Sequence, residues 1–140
     1  MGRVIKGEIV IPGQAGGEAL VSDEPLSFWG GYDWQTGEIT DRRHPLSGQL
    51  AAGRVLCLPF SRGSSTTTAV LLEAIRNGTA PAAILTTGAD FFFALASVVA
   101  DELYTQAIPL IALSVVDFAL LKTGDILSIG PDGSITIDEA

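Results

Sequence analysis

Three short apolar runs, Arg54 to Leu58, Ala82 to Thr86 and Ile108 to Leu113, alternate with two helix-patterned stretches, and no other feature restricts the fold as much. Each run has the length of a strand. Between the first two, Val70, Leu71, Ala74 and Ile75 make one apolar stripe of a helix from about Ser65 to Asn77, and Asn77-Gly78 followed by Pro81 stops it. Between the second and third, Asp90 is the candidate N-cap of a helix from Phe91 to about Leu103. That helix is apolar around most of its circumference, so it is expected to be covered on more than one side. Strands joined by helical crossovers lie parallel, which predicts a parallel βαβαβ core.

The flanks are β and loop. Val4 to Val10 and Glu18 to Val21 read as short strands separated by glycines, and residues 30–53 are so rich in turn formers that they read as a long ordered loop with a short strand at Glu38-Ile39-Thr40. Beyond the core, Ser114 to Asp117 starts a short helical turn through Leu121. Ile126 to Ile129 and Ile135 to Ile137 form a C-terminal β-hairpin closed by Pro131-Asp132-Gly133. Without a repeat or an interdomain linker, the 140 residues are expected to form one α/β domain, residues 1–140.

Composition removes several function classes. A net charge of −8 argues against nucleic acid, because phosphate neutralisation needs clustered Lys and Arg. The longest dense apolar run, Phe91 to Ala100, is bracketed by Asp90 and Asp101 and falls short of the roughly 18 residues of a membrane span. With no secretory h-region at the start, a soluble, cytoplasmic protein is expected. One cysteine, Cys57 in an apolar run, rules out an internal disulfide and any cluster or zinc site made by this chain alone. Phe91-Phe92-Phe93 spreads three rings over about 200° of helix, so at least one should face outward, and a subunit interface is the favoured use.

The chemistry concentrates in Ser61-Arg62-Gly63-Ser64-Ser65-Thr66-Thr67-Thr68, where a strand leads through a Gly-Ser turn into a helix. Unpaired N–H groups and hydroxyls at such a junction suit an oxyanion. Five consecutive hydroxylated residues exceed what capping needs. The segment is not a Walker loop, since no Lys lies between Lys6 and Lys122. Nor does it carry the spaced glycines of a dinucleotide fingerprint or the Gly-x-Ser-x-Gly of a hydrolase elbow. His44, the single histidine, sits before Pro45 in the long loop, where packing within the loop competes with a dyad or phosphocarrier role.

Several segments together carry a family resemblance. Phe28-Trp29-Gly30-Gly31-Tyr32-Asp33, Thr36-Gly37-Glu38-Ile39, His44-Pro45-Leu46-Ser47-Gly48, Arg62-Gly63-Ser64-Ser65, Asn77-Gly78-Thr79-Ala80-Pro81 and Thr123-Gly124-Asp125, in this order, resemble the small subunit or swivel domain of the aconitase X family. The resemblance implies a swivelling β/β/α domain that docks on a large iron–sulfur subunit, as a heterodimer or higher assembly, and closes over a shared active site. It implies dehydration of a small hydroxy acid, cis-3-hydroxy-L-proline first and mevalonate 5-phosphate next, with the cluster held by the partner and neither membrane nor nucleic acid involved. Ser64 matches the family's serine base, and Arg62, Gly63, Ser65 and Thr66 become the candidate substrate-binding residues. Thr66 stands where the wider aconitase family has a substrate-binding arginine, and Arg62 is the candidate replacement for that charge. The alternative is a non-catalytic swivel module that binds an anion or protein partner, or a phosphohistidine-type carrier using His44.

Overall fold

A computed structural model of the chain describes residues 2–62 and 65–139. In chain order the elements are β1 (Arg3–Lys6), β2 (Glu8–Ile11), β3 (Ala15–Val21), β4 (Leu26–Ser27), β5 (Val55–Cys57), β6 (Ser61–Arg62), α1 (Ser65–Asn77), β7 (Ala83–Thr86), α2 (Phe91–Tyr104), β8 (Leu110–Ala112), α3 (Val115–Phe118), β9 (Ile126–Ile129) and β10 (Ser134–Asp138). Strands β3, β5, β7 and β8 run parallel, with α1 and α2 as the crossovers among the last three, so the expected βαβαβ core is present. Strands β9 and β10 form the expected C-terminal hairpin, and β9 joins β3 antiparallel.

Strand alternation divides the apolar side chains into two layers. Leu20, Leu56, Ile84 and Leu110 face one way and pack with Leu71, Ala74 and Ile75 of α1 and Phe93, Ala96 and Ala100 of α2. Ala19, Val55, Cys57, Leu85 and Ile111 face the other way and meet Ile5, Leu127, Ile129, Ile135 and Ile137 of the antiparallel strands. The result is helices, a parallel sheet and a second β layer, which is the β/β/α order expected.

Two glycine-bearing corners let one chain serve both β layers. In β3, Ala15 to Glu18 pair with β9 while Ala19 to Val21 pair with β5. Gly17 lies at that corner, and a Cβ there would stand 2.8 Å from the carbonyl of Gly53. The second corner divides the expected strand Val4 to Val10. β1 pairs with β10 and β2 pairs with β8, with Gly7 between them donating its N–H to the Gly133 carbonyl at 3.1 Å. A side chain at Gly7 would overlap Ile111 Cγ2 and stand 2.8 Å from Ala112 O, so the crossing needs glycine.

Other expectations are corrected. Glu38-Ile39-Thr40 form no strand; Tyr32 to Ile39 and Glu38 to Leu50 are isolated bridges inside a series of turns. α2 packs against both α1 and β2, with Phe93, Ala96, Ser97 and Ala100 buried, but it is not covered all round: Phe91, Val98 and Leu103 are between 54% and 69% exposed. Its apolar circumference exceeds what this chain packs against it.

Candidate functional site

Parallel α/β sheets present their ligand crevices at the carboxyl ends of the strands, and the hydroxyl-rich segment lies at that end. From Cys57 the chain turns through Leu58-Pro59-Phe60 into β6, which pairs in parallel with β4, Ser61 opposite Leu26 and Arg62 opposite Ser27. Thr87, just beyond β7, donates to the Pro59 carbonyl from both its N–H (3.1 Å) and its hydroxyl (3.0 Å). Asp90 caps α2 as expected, with Oδ1 accepting from Phe92 N at 3.0 Å and Phe93 N at 3.1 Å. Its Oδ2 accepts from Ser61 N at 2.7 Å, a contact that no local sequence pattern announces.

The hydroxyl run divides by role. Thr67, buried, donates to the Arg62 carbonyl at 3.3 Å, and Thr68 donates to the Phe92 carbonyl at 3.0 Å, so these two hydroxyls fasten α1 to β6 and to α2. Arg62 is exposed in β6 and Thr66 is exposed in the first turn of α1, which Ser65 opens. The Thr67 bond brings the Arg62 backbone against that first turn. Gly63 and Ser64 lie outside the described residues. α1 has no acidic residue in its first turn, so none of its own carboxylates offsets the positive end of its dipole. An exposed arginine whose backbone meets a helix start is chemically suited to a carboxylate or phosphate.

His44 is not placed for phosphoryl transfer, which corrects the carrier alternative. It is buried, its Nδ1 accepts from Leu46 N at 3.1 Å, and its Nε2 lies 3.2 Å from the Glu24 carbonyl, to which it donates as the neutral tautomer. Both ring nitrogens thus tie the long loop to the chain just before β4. Behind the same segment, Phe28 stacks on Tyr32 at 4.8 Å and meets Phe93 edge-on at 5.2 Å. Tyr32 donates to the Thr79 carbonyl at 2.7 Å, and burial pushes its phenol pKa up. The aromatic residues flagged in the sequence are therefore split: Phe28, Tyr32 and Phe93 are core, and Trp29 and Phe91 are not.

The most exposed large apolar side chains gather at this end. Val116, Val115, Trp29 and Phe91 are 69–75% exposed, and Phe60 is 52% exposed. Each lies in a connection that follows a parallel strand: Trp29 beyond β3 and β4, Phe60 after β5, Phe91 after β7, and Val115 and Val116 after β8. They give an exposed apolar collar to the end of the sheet at which Arg62 and Thr66 also lie.

Among the described residues no group of three or more His, Cys, Asp or Glu could hold an ion. Cys57 is fully buried, and burial, followed by the nearby Asp125 carboxylate, pushes its thiol pKa up and so disfavours the thiolate that binds iron. No described helix is long and apolar enough to cross a membrane.

A parallel core backed by a second β layer, with a hydroxyl-bearing helix start at the end of the sheet that carries exposed apolar side chains, defines an α/β domain with an open candidate site. Residues 4–137 match the aconitase X swivel domain. The phosphomevalonate dehydratase small subunit of Thermococcus gammatolerans is 36% identical over 128 residues, covering 91% of this chain and 92% of that protein. The cis-3-hydroxy-L-proline dehydratase of Pseudomonas aeruginosa is 47% identical over 104 residues, 74% of this chain. The chain spans only 18% of the length of that enzyme and 19% of its Hypocrea jecorina counterpart. A crystal structure of Thermococcus kodakaraensis aconitase X in its holo-form superposes with a TM-score of 0.86 at 33% identity, covering 98% of this chain and 99% of that one. The chain belongs to the aconitase X swivel domain family.

Proposed function

We propose that this chain, residues 1–140 acting as one swivel domain, is the small subunit of an iron–sulfur hydro-lyase that removes water from a small hydroxy acid. The observation that carries the reading is the family match over residues 4–137, with relatives named as dehydratases and as small subunits. In this reading the large subunit holds the cluster and covers the apolar collar. Ser64, as the alkoxide, takes the proton from the carbon beside the substrate carboxylate. A carbon–carbon double bond forms as the C–O bond on the adjacent carbon breaks, and the hydroxide leaves toward the partner's cluster, which when bound would supply the Lewis acid that accepts it.

Arg62 and the start of α1 hold the carboxylate and favour the serine anion through positive potential, with Gly63, Ser65 and Thr66 completing the contacts. cis-3-Hydroxy-L-proline is the favoured substrate and mevalonate 5-phosphate the second. Identity of 47% to the Pseudomonas aeruginosa hydroxyproline enzyme, against 32–40% to the phosphomevalonate small subunits, supports that order, while the Hypocrea jecorina hydroxyproline enzyme at 39% lies within the second range. The test combines the chain with a large aconitase X subunit under anaerobic conditions and follows loss of each hydroxy acid. Turnover of cis-3-hydroxy-L-proline by the complex, and none by either chain alone, is expected. Turnover of mevalonate 5-phosphate only would reverse the substrate order, and no turnover of either would contradict the enzymatic reading.

A further inference from the structure

Capping α2 uses only half of the Asp90 carboxylate. An N-cap needs one oxygen for the N–H groups of the first turn, and Oδ1 meets that need at Phe92 and Phe93. The other oxygen, Oδ2, reaches out of the helix to the backbone of Ser61 at 2.7 Å, the shortest of the three contacts, as fits a charge-assisted bond. Asp90 is 8% exposed, so little water competes for it. Its two oxygens therefore join β6 to the start of α2, beside the Thr67 and Thr68 bonds that join β6, α1 and α2 at the same crossing.

We propose that Asp90 is a positioning residue, which fixes the β6 backbone against the α2 N-terminus and so sets the approach of the chain to Ser64, three residues beyond Ser61. The role rests on the assignment of Ser64 as the base. It also explains why a carboxylate occupies a position that Ser or Asn would cap as well. Serine offers one oxygen. Asparagine offers one oxygen and an NH2 group, which turned toward Ser61 would set a donor against a donor. Only aspartate accepts on both sides while keeping the geometry of a cap, and active groups misplaced by about 1 Å lose about 100-fold in rate.

Asp90→Asn separates the two roles, and Asp90→Ser serves as a second cap-retaining variant. By NMR on the 140-residue chain, the amide of Ser61 should exchange at least about 10-fold faster in either variant, while those of Phe92 and Phe93 stay within about threefold of wild type. With the large subunit, kcat for water loss should fall at least about 10-fold and KM should rise with it, because β6 carries Arg62 as well as the chain that leads to Ser64. Unchanged Ser61 exchange, or a kcat within about twofold of wild type, overturns the positioning role in an otherwise active complex. A wild-type complex that dehydrates neither hydroxy acid overturns the Ser64 assignment, and the positioning role with it.

Discussion

Cys57 and Tyr32 carry the chain's response to alkaline pH, because burial holds both side chains neutral in the native state. In the unfolded chain they ionise near their ordinary values of 9.0 and 10.0. Above those values the unfolded state binds fewer protons than the native state, so stability falls as pH rises. The denaturant midpoint should hold steady up to pH of about 8 and then decline, and Cys57→Ala should remove the part of the decline that begins near 9.0. A decline of the same slope in that variant would contradict the assignment. Between Leu56 and Leu58 the burial of Cys57 was legible from its neighbours, but the Asp125 carboxylate came near it only through the pairing of β3 with β9. His44 shows the same limit: its turn-rich surroundings suggested packing, while its partner Glu24 is set by tertiary structure.

Short contacts between elements decide how the layers stay in register. Ser97 of α2 donates its hydroxyl to the Ile108 carbonyl and accepts from the Ile108 N–H, both at 2.8 Å and both buried. Ser97→Ala would strand two buried backbone groups at the entrance to β8, and urea unfolding should show a loss of about 2–3 kcal/mol. A loss below about 0.5 kcal/mol would mean that water replaces the hydroxyl. Gly7→Ala should cost a further kind of stability, about 1–3 kcal/mol by overpacking, because the β1–β2 corner closes against Ile111 and Ala112. Helices α1 and α2 and the core strands were readable in the sequence since periodicity, caps and stop signals agreed. β4 and β6 were not, because two-residue strands carry no period and exist only through their mutual pairing. The same holds for Thr67 and Thr68, whose hydroxyls suggested a ligand contact but bond to Arg62 and Phe92.

At the scale of the whole molecule, the chain leaves its apolar collar bare at the end where Arg62 and Thr66 stand. Three consecutive phenylalanines signalled an outward ring, and Phe91 is that ring; the rest of the collar comes from three other connections that only the topology assembles. If the large subunit covers this face, Phe91→Asp should weaken assembly at least about 10-fold in a titration while the urea midpoint of the isolated chain stays unchanged. Assembly of wild-type strength would place the interface elsewhere. The proposed split active site with Ser64 as its base stands or falls with the turnover of the reconstituted complex carrying Ser64→Ala. General-base loss predicts a fall in kcat of about 100-fold or more at undiminished assembly, and a variant complex that dehydrates its hydroxy acid at the wild-type rate would contradict the account.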